Sequence, residues 1–269
     1  HALAFAPIGA AIVAALWLFC PAWRFRTESN RASVGAATTR RIVAGPIEAR
    51  WLPLWLCCTL AYLSHALLDA ATSYGTQLLW PFSPHRAGWD IIAIIDPIFT
   101  FTLLIALVVA LGRQRPKAAD IGLALAALYI GFGTIQHNRA RSTLRELAAT
   151  RGHTIERMEL MPTLANNLVW RALYLHRGQI HSDRVRVGWF SAPTVRPGWS
   201  LPLVQQSDLT APEVARNRRR SFERFAWFSD HWVARSPADP SLLADMRYTL
   251  SAEAFDPIWG IRFAPENAP

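Results

Sequence analysis

Hydrophobic and polar positions divide the chain into two unlike parts. Up to about residue 137 it consists mostly of long apolar runs; beyond that point charged residues are dense and apolar runs short. Four runs approach the length of about 20 apolar residues, with a minimum near 17, that a membrane-spanning helix needs. The first covers residues 2–17, extends to Cys20 and stops at Pro21. The second runs from Trp51 to about Tyr74, and the third from Ile91 to Leu111 with an interruption at Asp96-Pro97. The fourth and weakest, Ile121 to Thr134, carries Gly131 and Gly133, residues suited to close helix packing. The pattern predicts a mainly α membrane protein of about four transmembrane helices over residues 1–137. A small α+β soluble C-terminal domain follows over residues 138–269.

Within that second part the period shortens. Residues 142–149 read as a short helix. Val169, Leu173 and Leu175, then Ile180, Val185 and Val187, alternate with polar positions, and Arg177-Gly178 between them supplies a hairpin turn. His176 and His181 flank this turn and read as exposed hairpin residues. Residues 212–230 predict a helix whose apolar face, Phe222, Phe225, Ala226 and Phe228, lies behind the cluster Arg216 to Arg220. Residues 246–250 and 258–263 predict two closing strands.

Charge adds an orientation. The chain has 28 basic and 19 acidic residues, a net charge of +9, and Lys117 is its one lysine. Six arginines (24, 26, 31, 40, 41 and 50) crowd the loop between the first two spans, which places that loop on the cytoplasmic side. Arg113, Arg115 and Lys117 mark a second short crossing on the same side. The loop of residues 75–90 and the C-terminal domain are then expected on the extracytoplasmic side of a bacterial inner membrane. His137, Arg139, Arg141 and Arg145 oppose that exit, but long domains translocate largely regardless of charge. Membrane lipid, with anionic headgroups as counter-charge, is the expected partner. Nucleic acid is not, because aromatic residues do not interleave the arginines. Cys20, Cys57 and Cys58 lie in or beside apolar runs, so neither a disulfide framework nor a cysteine-based zinc site is expected. No charged segment precedes the first run, so it does not read as a signal peptide, and the sequence is expected to be part of a longer protein.

The candidate chemistry sits at the end of the second span. His65 and Asp69 are four residues apart, on one helix face with Cβ atoms about 6 Å apart. An imidazole and a carboxylate so placed can close on one divalent ion, or can form a structural hydrogen bond between helices. Asp96 before Pro97 has the signature of a helix N-cap and can equally serve as a further carboxylate. By the topology above, His1, His65, Asp69, His85, Asp90 and Asp96 all gather at one membrane face. Ionisable groups are expensive there, which makes them candidates for function. Ser73, Tyr74 and Gly75 are expected to shape the loop beside them. The chain has no G-x-S-x-G elbow, so a serine hydrolase has no support.

The string S-H-A-L-L-D-A-A-T-S-Y-G-T-Q-L-L-W-P-F-S, followed by W-D-I-I-A-I-I-D-P-I-F-T, resembles the bacterial inner-membrane, metal-dependent hydrolase family known as YdjM-like. The opening H-A-L is similar to the end of that family's H-R-G-x-T-H-[SA]-L motif, which would make His1 its second histidine. The tail, with M-R-Y-T-L and I-W-G-I-R-F, is similar to that of longer members. The resemblance implies a membrane-embedded hydrolase with a His/Asp-bound divalent metal, expected to be zinc. It implies His1, His65 and Asp69 as metal ligands and Asp90 and Asp96 as acidic positions. Either aspartate would orient a ligand or act as general base in the hydrolysis of a phosphoester or similar polar ester. The competing expectation is a non-catalytic membrane scaffold whose soluble domain binds a partner. A transporter using Asp96 in a broken helix is weaker, since four spans are few and no inverted repeat is visible.

Overall fold

The computed structural model describes residues 2–19, 47–209, 216–249 and 255–263. The chain divides into two compact units, His1–Gly133 and Thr134–Pro269.

In the first unit a single 3-10 turn, Leu3–Phe5, leads into helix α1, Ala6–Phe19. Helix α2 is Ile47–Ala70, α3 is Pro97–Gly112 and α4 is Lys117–Thr150. Two of these are long and apolar enough to cross a membrane, α4 and the Trp51–Ala70 stretch of α2. Helix α3, with 16 residues, spans about 24 Å at 1.5 Å per residue, against about 30 Å of hydrocarbon. The expected third span is shorter than its apolar run because helix begins only at Pro97. Residues 91–96 are not helical, since Asp96 caps the helix and Pro97 follows at its first position. The expectation of four spans is thus met by two helices among the described residues, with α1 and α3 as shorter apolar helices. Of the expected arginine-rich loop of residues 24–50, residues 47–50 instead open α2, and the rest, like the expected end of the first run at Cys20, lies outside the described residues.

Small residues form the seams of this unit. Ala6, Ala10, Ala14 and Leu18 recur every four positions along α1 and are buried, as are Ala66 and Ala70 on α2. The Trp55 indole donates to the Pro7 carbonyl at 2.9 Å. A Cβ on Gly122 would come within 2.2 Å of the Ala106 Cβ, and one on Gly133 within 2.6 Å of the Ile91 carbonyl oxygen. Gly133 therefore permits close approach as its pattern predicts, whereas Gly131 faces open space.

Helix α4 is one continuous element where the sequence predicts a span and a separate short helix. Nothing between Ile135 and Ser142 breaks helix, and the face changes instead. Ala140, Leu144 and Ala148, at i, i+4 and i+8, are buried in the core of the second unit. They pack with Trp170, Ala172 and Tyr174 of a four-stranded antiparallel sheet ordered β1-β2-β3-β4. These strands are β1 Arg157–Pro162, β2 Val169–His176, β3 Gln179–Arg186 and β4 Thr194–Pro202. The β2–β3 turn is Arg177-Gly178, both at positive φ, as a two-residue hairpin requires. Successive β2 residues face opposite ways. Leu173 therefore packs on the other side with Trp232, Ala244 and Met246. Those residues belong to or adjoin a second sheet, β5 Val233–Arg235, β6 Leu242–Asp245 and β7 Gly260–Arg262. Helix α5, Arg216–Phe228, seats Phe222, Phe225 and Ala226 in that sheet's core. The first closing strand lies four residues earlier than its pattern suggests. Residues 246–247 instead form a turn beside a buried Arg247–Asp245 ion pair, 2.9 Å.

Candidate functional site

Helix α2 ends at Ala70 and its last carbonyls are taken up by the chain returning from the loop. Trp89 N donates to Ala70 O at 2.8 Å, and Ile91 N to Ala71 O at 2.9 Å. Gly75, at φ 78°, turns the chain away. A Thr76–Ala87 bridge closes the loop, and the Arg86 guanidinium donates to Tyr74 O and to Gly75 O, the latter at 3.4 Å. The loop is also pinned to the N-terminus, where Leu3 N donates to Leu78 O at 2.9 Å and Phe5 stacks on Trp80 at 5.4 Å. This framework sets the C-terminal end of α2 beside the N-terminal end of α3.

Between the two lies a cleft of about 340 Å³, lined among others by His65, Asp69, Thr72, Asp96 and Thr100. Two of the sequence-predicted carboxylates and the predicted imidazole thus face one space. Asp69 accepts a hydrogen bond at Oδ2 from the Thr76 hydroxyl. Asp96 is 4% exposed. Its Oδ1 accepts from Phe99 N at 3.1 Å, the N-cap bond, and its Oδ2 from the Tyr129 hydroxyl at 2.7 Å. The cap is therefore real, and it coexists with a position on the cleft wall. Asp90 is buried at φ 53° and does not line the cleft. His85 is exposed in the loop, and His1 lies outside the described residues.

Sequence reasoning did not name Thr76 or Tyr129. A phenol inside an apolar run needs a partner, and that signal pointed to a buried acceptor without saying which. Neither pairing is local.

The donor types on this cleft, one imidazole and two carboxylates, suit a hard or borderline divalent ion. Among the described residues, however, no three His, Cys, Asp or Glu side chains converge closely enough to hold one. A complete shell would need donors from elsewhere in the protein.

A second group of ionisable side chains occupies the C-terminal unit, where His176 and His181 were expected to be plain exposed hairpin residues. Both are half-buried. His153 stacks on His176 at 4.4 Å, and His181 on Tyr174 at 4.6 Å. His153 Nδ1 lies 2.8 Å from the Tyr174 hydroxyl, to which Arg151 also donates at 3.0 Å. Arg151 in turn holds Asp183 through two bonds, 2.7 and 2.9 Å, which keep its guanidinium charged. Burial, then neighbouring positive charge, pushes the His153 and His181 imidazoles below their ordinary value of 6.5.

Among known proteins, the family model described as YdjM inner membrane protein matches residues 1–140. That match covers just over half of the chain. No curated protein and no solved structure matches it.

Proposed function

The chain belongs to the YdjM inner membrane protein family, and from that premise we propose a membrane-bound metal-dependent hydrolase of phosphoester or similar polar ester bonds. The observation that carries this reading is the cleft that collects His65, Asp69 and Asp96 between the ends of two apolar helices. His65 and Asp69, with His1, are the proposed ligands of a zinc-like ion, and the cleft and the C-terminal unit are proposed to face the extracytoplasmic side. Such an ion would supply an acidified water, with pKa near 7, and positive charge opposite a developing oxyanion.

The chain's own residues then divide the work. The Thr76 hydroxyl fixes the rotation of the Asp69 carboxylate, so that its orientation is set before a ligand arrives. Asp96 is better placed than Asp90 to accept a proton from water in the cleft, because it lines that space and Asp90 does not. The Phe99 amide and the Tyr129 hydroxyl hold it in place.

The same hydrogen bonds favour one alternative, a non-catalytic membrane scaffold in which Asp69 and Asp96 only fasten the helices. Purified full-length protein in proteoliposomes, offered phosphomonoester and phosphodiester substrates with added zinc, separates the two. The hydrolase reading expects product release abolished by a chelator and by His65→Ala. Hydrolysis that survives both would overturn the metal-dependent reading, and none from folded wild-type protein would favour the scaffold.

A further inference from the structure

A different surface, far along the sequence from the cleft, carries an inference of its own. On α4 the apolar run ends at Ile135, and the next residue, Gln136, is fully buried. Its side-chain amide donates to Val187 O at 2.9 Å. One turn later Arg139 donates to Gly188 O at 2.7 Å and Ser191 O at 2.9 Å, and to the Gln136 side chain at 2.8 Å. The loop after β3 is thus fastened to the first turn of α4 beyond its apolar run. At 1.5 Å per residue that turn lies within about 6 Å of the last apolar residue. The headgroup layer on each side of the hydrocarbon is about 5–8 Å deep, so the loop falls at its level.

What the loop presents there is aromatic. Phe190 is 99% exposed and Trp189 is 59% exposed. The loop is held by four hydrogen bonds, the fourth from Arg139 to Trp189 O at 3.4 Å, so both rings are held outward. At a membrane interface, tryptophan and other amphipathic rings are the preferred side chains. Immediately beside the loop, the last rungs of the β3–β4 ladder pair Arg184 with Arg196 and Arg186 with Thr194. The three arginines line a cleft of about 300 Å³ together with Asn166, Leu168 and Thr194. Guanidinium groups recognise phosphate oxygens in planar, two-pronged geometry.

We propose that the loop Gly188–Ser191 and the cleft of Arg184, Arg186 and Arg196 form a bilayer-docking surface. Trp189 and Phe190 enter the interface, and the arginines take the phosphates of anionic phospholipids. The surface involves none of the Arg216–Arg220 cluster. It is singled out by its tie to the end of a candidate span. It is independent of the hydrolase reading and stands or falls without it.

The test uses full-length protein with Cys20, Cys57 and Cys58 changed to serine and one cysteine introduced for a nitrobenzoxadiazole label. Phe190→Cys places the label on the loop. Arg177→Cys places it at the turn, the opposite end of the same hairpin. Both proteins are reconstituted into phosphatidylcholine vesicles, with and without phosphatidylglycerol, containing a headgroup-level nitroxide lipid. The label at position 190 is expected to emit to the blue of the label at position 177 and to be quenched by the nitroxide, more so with phosphatidylglycerol. Arg186→Glu with Arg196→Glu is expected to remove that lipid preference, roughly fivefold per arginine. Equal, water-like emission at both positions would overturn the docking surface. Quenching indifferent to phosphatidylglycerol would overturn the arginine cleft. Protection at position 190 in native membranes but not in pure lipid would assign the loop to a protein partner instead.

Discussion

In the N-terminal unit the fully buried residues among those described are Ala10, Ala14 and Ala70, while Leu56, Leu60, Phe101, Leu104 and Leu128 face outward. In the C-terminal unit the order is reversed. The twelve largest fully buried side chains among the described residues, Trp170, Trp232 and Tyr174 first, all lie at position 136 or later. Water drives large apolar side chains inward because removing their surface is favourable. Lipid gives no such drive, so helices there meet through small residues that allow close backbone approach. One chain therefore records two solvents, and helix α4 passes from one regime to the other between Gly133 and Ala140.

That contrast can be broken at several points, the largest first. Trp170→Ala empties the core beneath α4 and should cost about 3–5 kcal/mol, read as loss of the cooperative thermal transition of the C-terminal unit. Gly122→Val drives a side chain into Ala106, where even a Cβ has 2.2 Å. Overpacking of this kind costs about 1–3 kcal/mol, measured by unfolding in detergent micelles. Asp96→Ala removes the α3 cap and leaves the Tyr129 hydroxyl without its acceptor, a loss of about 1–2 kcal/mol. A cycle with Tyr129→Phe should show the two changes to be non-additive.

Acid should act on the C-terminal unit through its stacked histidines. Their folded values lie below 6.5, so the unfolded chain binds protons more readily than the folded one. Their contribution is complete above about 6.5 and declines as pH falls through that value. Midpoints of thermal unfolding against pH should show the decline, and His181→Gln should flatten it. The smallest effect belongs to Leu104→Ala on the outward face of α3. It should change micelle stability by no more than about 0.5 kcal/mol, as a surface change does. A loss comparable to that of Trp170→Ala would contradict the two-solvent picture.

Much of the fold was legible because local chemistry dictates it. Arg177-Gly178 announces a hairpin, Asp96-Pro97 a helix start, and Phe222, Phe225 and Ala226 the inner face of α5. Strands β1 and β4 were not legible, because Pro162, Pro197 and Pro202 mask their alternation. The continuity of α4 was hidden for another reason. His137, Arg139 and Arg141 look like the end of a span, while the i, i+4, i+8 spacing of Ala140, Leu144 and Ala148 says the helix continues. At the site, His65 and Asp69 could be paired because helix geometry makes them neighbours. The Asp69–Thr76 and Asp96–Tyr129 bonds could not, since only the folded chain brings those groups together. The same holds for His153, which joins His176 and His181 from beyond the end of α4.

The central chemical claim is that the cleft at the junction of α2 and α3 belongs to a divalent metal centre. Elemental analysis of purified full-length wild type, His65→Ala and Asp69→Ala protein tests it most directly. The account predicts stoichiometric metal in the wild type and its loss from both variants, with α2 still helical by circular dichroism. Metal-free wild type, or variants that keep a full complement, would contradict it.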